Sequence, residues 1–132
     1  MSLRFLNLEH LHQMHQHQLE VYGGSPGIRD LGAIESALAA VQASFGGEYL
    51  HPSLPDMAAA YLYHLCQNHG LVDGNKRVAA TAAVYFLEWN GWEFTGNSNQ
   101  LYEITMKVAA SKADKPTVAQ FFRKHSKGPA KP

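Results

Sequence analysis

The sequence predicts an all-α fold: one domain of about six helices, with a loop or short hairpin between the second and third. Three observations predict it. Apolar residues recur at three- and four-residue steps, the period of a helix face, and no strand-like alternation lasts beyond a few residues. The chain has 132 residues, 45% hydrophobic and 17% charged, enough for a single core without a staple. Glycine clusters at 23–27, 46–47 and 91 punctuate the periodic stretches. The domain spans residues 1–126, and 127–132 reads as a disordered tail.

The elements follow in order. Leu8, Leu11, His15, Leu19 and Tyr22 share one face of a first helix, from about Asn7 to Val21. Gly23-Gly24-Ser25-Pro26-Gly27 breaks it. Asp30 caps a second helix with the stripe Leu31, Ile34, Leu38, Val41 and Phe45, ended by Gly46-Gly47. Residues 46–54 form a loop or short hairpin. Pro55 suits the first turn of a third helix, with Asp56 near its positive end. Met57, Ala60, Tyr61, His64, Leu65 and Asn68 mark its inward side. A fourth helix runs from Asn75 to about Asn90, with Val78, Ala82, Tyr85, Phe86 and Trp89 inward and Gly91 after its end. Trp92 to Phe94 is short and extended. Asn97 or Ser98 caps a fifth helix through Leu101, Ile104 and Val108. Thr117 and Gln120 read as the capping box of a last helix carrying Phe121 and Phe122.

Charge excludes some functions and suggests another. Lys plus Arg and Asp plus Glu are 11 each, which argues against a chain that coats nucleic acid or an anionic membrane. No apolar run approaches the ~18 residues of a membrane span. The lone Cys66 excludes an internal disulfide framework and fits a reducing, cytoplasmic setting. The zero net charge is a cancellation. Residues 1–106 hold four basic and ten acidic residues, and residues 107–132 hold seven basic and one acidic. Two of those four early positives are neighbours, Lys76 and Arg77.

They lie in the informative stretch, His69-Gly70-Leu71-Val72-Asp73-Gly74-Asn75-Lys76-Arg77. A helix start presents unpaired N–H groups and partial positive charge, which attract anions. Gly74 lacks a side chain that would keep a phosphate away. Asn75 adds an amide donor, Lys76 a point charge and Arg77 a planar fork for phosphate oxygens. Asp73 is a hard oxygen ligand of the kind Mg²⁺ takes alongside phosphates. His69 can accept a proton from a hydroxyl at neutral pH. Base, metal ligand and phosphate cradle within nine residues are the parts for moving a phosphate-containing group onto a hydroxyl.

This stretch resembles the Fic/Doc family, whose broad motif reads His-Pro-Phe-x-x-Gly-Asn-Gly-Arg. Its death-on-curing (Doc) branch reads His-x-Phe-x-Asp-(Ala/Gly)-Asn-Lys-Arg. The chain matches the Doc form at His69, Asp73, Gly74, Asn75, Lys76 and Arg77, and departs at Leu71, where the family has Phe. Tyr22-Gly23-Gly24, Pro26-Gly27, Arg29-Asp30, Glu35-Ser36-Ala37-Leu38 and Phe86-Leu87-Glu88-Trp89-Asn90-Gly91 also resemble Doc toxins, so the likeness covers nearly the whole chain. It implies a Fic fold. His69 is then the base, Asp73 the Mg²⁺ ligand, and Gly74, Asn75, Lys76 and Arg77 the nucleotide phosphate site. Lys76 replaces the Gly of AMP-transferring members, which implies ATP held in the reverse sense and transfer of its γ-phosphate. The implied target is a threonine of translation elongation factor Tu, and the implied outcome is arrested translation. Fic-type AMP or NMP transfer and a non-catalytic peptide-binding module are the alternatives.

The resemblance also implies that the 46–54 stretch is a short flap between the second and third helices, with Gly47, Glu48, Tyr49 and Leu50 docking a target segment by strand addition. The family's inhibitory helix reads Ser/Thr-x-x-x-Glu-Gly/Asn. Only Ser44 has a Glu four residues on, Glu48, and Tyr49 follows it. The implied partners are therefore a Phd-like antitoxin supplying that segment in trans and a protein substrate, with no direct nucleic acid or membrane.

Other residues have plainer readings. Among His10, His12, His15 and His17 only the 12/15 pair has ligand spacing, and nothing completes a metal set, so His15 reads as partly buried beside solvated neighbours. His64 reads as a satisfied core-edge group, Glu35 as a surface or supporting residue, and Cys66 as a small buried hydrophobe. Trp89 and Trp92 read as core and rim aromatics.

Overall fold

The computed structural model describes residues 3–129. Six helices form: α1 (Leu8–Tyr22), α2 (Leu31–Val41), α3 (Leu54–Asn68), α4 (Asn75–Trp89), α5 (Ser98–Ala109) and α6 (Lys115–Lys124). Two short antiparallel strand pairs accompany them. Strands β1 (Ser44–Phe45) and β2 (Glu48–Tyr49) pair antiparallel between α2 and α3, forming the flap. Strands β3 (Glu93–Phe94) and β4 (Ser126–Lys127) pair antiparallel across the end of the domain.

Helix α3 is the hub and packs against α2, α4, α5 and α6. Its run Met57 to Leu62 is buried on every side, and three consecutive alanines let neighbouring helices approach closely. Tyr61 is fully buried, and its hydroxyl accepts the Leu6 backbone N–H at 2.9 Å. Burial pushes that phenol up to about 12. Phe86 packs at a tilt against Tyr61, and Phe122 closes the core from α6.

The caps are local chemistry. Asn7, Asp30, Ser53, Asn97 and Asp114 each accept a backbone N–H of the following first turn. Asp114 corrects the expected start of the last helix. It accepts from both the backbone N–H and the hydroxyl of Thr117, so Thr117 sits inside the first turn and does not cap it.

Three other expectations are corrected. Phe45 is 83% exposed, because α2 ends at Val41 and the chain turns into the flap before reaching it. Leu31 and Tyr85 are exposed rather than inward. The tail expected from Lys127 begins in a strand, since Lys127 pairs with Glu93. Residues 130–132 of that tail lie outside the described residues. No described helix is long and apolar enough to cross a membrane.

Candidate active site

The nine-residue stretch becomes the junction between α3 and α4. His69 closes α3 in the left-handed region (φ 48°, ψ 45°), which turns the chain sharply and leaves the residue exposed. Gly70 is buried, and a Cβ there would stand 2.3 Å from Ile34 Cγ1. Leu71 is buried at 6% exposure, so the leucine that replaces the family phenylalanine still anchors the loop.

The glycine-rich segment after α1 is the other wall. The Gly70 carbonyl accepts the N–H groups of Arg29 and Asp30 at 2.8 and 3.0 Å. Ile28 bridges Leu71, and the Val72 N–H donates to the Gly27 carbonyl at 3.1 Å. The Ser25 N–H donates to Asp73 Oδ2 at 3.2 Å. That approach requires glycine at position 24, where a Cβ would lie 2.7 Å from the same oxygen. The Gly74 N–H donates to Asp73 Oδ1 at 2.9 Å. Both carboxylate oxygens are thus oriented by backbone donors, and each keeps acceptor capacity facing solvent.

Helix α1 supports the loop from beneath. Buried His15 presents Nε2 to the Asp73 carbonyl at 3.0 Å, so that nitrogen carries the proton and donates. Gln18, one turn on, is 7% exposed and its Oε1 has no partner among the described residues. A Cβ on Gly74 would meet that oxygen at 3.0 Å. Gly74 also has φ 86°, a region L side chains rarely adopt.

At α4 the pattern of the other helices stops. Gly74 offers no side-chain cap. Asn75 holds the loop closed, with its Oδ1 accepting the Leu71 N–H at 2.9 Å and its Nδ2 donating to the Leu71 carbonyl at 3.0 Å. Its side chain is therefore engaged, and the donors this helix start offers outward are first-turn backbone N–H groups. Lys76 and Arg77 follow, both exposed. The Arg77 guanidinium lies 4.2 Å from the centre of the Tyr22 ring. Burial raises the Cys66 thiol while the nearby Lys76 charge works the other way.

Of the residues expected in the site, His69, Asp73, Gly74, Asn75, Lys76 and Arg77 lie on this one junction. Gly47, Glu48, Tyr49 and Leu50 lie on the exposed flap, where Tyr49 packs edge-on against Phe5 at 5.7 Å. His64 sits elsewhere, accepting from Lys115 Nζ at 3.1 Å, and burial with that neighbouring charge pulls it down to about 4. Sequence reasoning missed the contributions of Gln18, Gly24 and Ser25. The i, i+3 spacing of His15 and Gln18 was the available signal.

The junction thus joins an uncapped helix start, Lys76 and Arg77, a histidine and an oriented aspartate on a six-helix scaffold. The chain belongs to the Fic/DOC family, which it matches over residues 5–87. It is 38% identical over 100 residues to "Toxin Doc" of Mycolicibacterium smegmatis, covering 74% of this chain and 77% of that protein. It is 31% identical over 122 residues to "Protein kinase doc" of Escherichia phage P1, covering 92% and 95%.

Proposed function

We propose that this protein is a Doc-type toxin that transfers the γ-phosphate of Mg-ATP to a Ser or Thr hydroxyl of a protein. The observation that carries the proposal is the start of α4: no side-chain cap, a left-handed glycine, then Lys76 and Arg77. Positive residues at the positive end of a helix are unfavourable until an anion arrives. First-turn N–H groups and Arg77 bind phosphate oxygens, with Asn75 keeping the loop in register. Lys76 fills the place that is glycine in AMP-transferring members and favours γ-phosphoryl transfer. The similarity to a protein named as a kinase supports the same direction.

His69, exposed at the mouth of the loop, takes the proton of the attacking hydroxyl. Asp73 fits Mg²⁺, since its oxygens are hard, oriented by backbone donors and solvent-facing. Bound there, the ion offsets phosphate charge. Family resemblance assigns the target to elongation factor Tu at a threonine, with blocked translation as the outcome, and the flap to aligning that segment. It also assigns a Phd-like antitoxin supplying the inhibitory glutamate in trans. The one internal Ser-x-x-x-Glu pair, Ser44 and Glu48, lies on the flap hairpin and not on a helix.

Parallel incubations of purified elongation factor Tu with ATP labelled at the γ- or the α-phosphate decide the chemistry. Label from γ alone is expected. Label from α alone overturns the kinase reading in favour of AMP transfer.

A further inference from the structure

We propose that Tyr22 is a positioning residue for Arg77, holding one face of the guanidinium so that its edge N–H groups stay free for phosphate oxygens. The inference rests on the phosphate-binding role given to Arg77 above.

Arg77 lies in the first turn of α4, and its guanidinium carbon sits 4.2 Å from the Tyr22 ring centre. Tyr22 is the last residue of α1 and is 63% exposed, so its ring does not serve the core. Gly23 and Gly24 follow with φ 76° and 114°, turning the chain away toward the Asp73 loop. Tyr22 therefore stands between the helix that supports this loop and the helix that begins at it.

The two arginines Arg77 and Arg123 show why a ring suits this place. Arg123 gives its guanidinium edge to Asp56 at 2.6 Å. Arg77 makes no ion pair and no hydrogen bond through its guanidinium among the described residues. A carboxylate partner would occupy the donors that phosphate needs. An aromatic face restrains the plane and leaves all five N–H groups unused. Restraining a long side chain before the ligand arrives also lowers the ordering cost on binding.

The test is calorimetric titration of the protein with Mg-ATP and, separately, with inorganic triphosphate. Arg77→Ala is expected to weaken both ligands by at least about tenfold. Tyr22→Leu is expected to weaken both by about two- to fivefold. Tyr22→Phe keeps the ring and is expected to restore wild-type affinity. In an Arg77→Ala background, Tyr22→Leu is expected to change nothing further. If Arg77→Ala weakens binding while Tyr22→Leu does not, the positioning role is overturned and the phosphate site stands. A loss confined to ATP, or additive with Arg77→Ala, assigns Tyr22 to the base instead and also overturns it. If Arg77→Ala binds like wild type, the phosphate role of Arg77 fails and the inference falls with it.

Discussion

Helices α3 and α4 are both 15 residues long and pack side by side, yet they begin in opposite ways. The start of α3 follows every rule for stability. Ser53 caps the Asp56 N–H, Pro55 sits in the first turn, and Asp56 complements the helix dipole while pairing with Arg123. The start of α4 breaks those rules together: no side-chain cap, a left-handed glycine, and two cations where the dipole favours anions. An unfavourable arrangement held this firmly by its surroundings supports the proposal that an anionic ligand completes it.

The contrast predicts which substitutions damage function and which damage only the fold. The largest effect is expected from His69→Asn. Asparagine tolerates the left-handed turn, so thermal unfolding should barely move. Transfer to the protein target should fall by about 10²- to 10⁴-fold. A loss under tenfold would remove His69 from the role of base. Next comes Gly70→Ala, whose Cβ would press on Ile34 Cγ1 at 2.3 Å and the Asp30 carbonyl at 3.1 Å. Urea unfolding should show a loss of about 1–3 kcal/mol. Ser53→Ala at the start of α3 should remove about 1 kcal/mol of stability, with kcat and KM unchanged below the melting transition. A smaller change than that of Ser53→Ala, and of opposite sign, comes from Lys76→Glu. An acid in the first turn of α4 should raise stability by about 0.3–1 kcal/mol while weakening ATP binding measured by calorimetry. A variant that lost both stability and binding would mean that Lys76 supports the fold, and the contrast between the two helix starts would collapse.

Much of this was legible because its causes are local. Asp30 and Asn97 stand three residues before the N–H they cap, so sequence spacing locates them. The candidate site residues from His69 to Arg77 form a contiguous run, so their grouping is legible without coordinates. The last helix shows how a local signal misleads. Thr117 and Gln120 have capping-box spacing, but Asp114 already accepts from Thr117 and starts the helix three residues earlier. Exposure was less legible. Phe45 and Tyr85 continue apolar stripes, and only the packed structure shows that both remain exposed. The second wall of the site was illegible for a different reason. Ser25 meets Asp73 and Gly27 meets Val72 across more than forty residues of chain, and no periodicity encodes such a pairing. Tyr22 fits the apolar stripe of α1 on paper, whereas its ring faces Arg77.

The Asn90 side chain, at the far end of α4, accepts the Arg4 N–H and donates to the Arg4 carbonyl. The β3–β4 pairing brings Lys127 beside Glu93, just past that same end. A helix of this length spans about 22 Å, so Arg4 and the loop at Gly74 lie at opposite poles of α4. A fluorophore or surface tether introduced near Arg4 leaves the loop and its approach open. Immobilising the protein from that pole presents the junction outward, ready for nucleotide, target or antitoxin to be flowed across it.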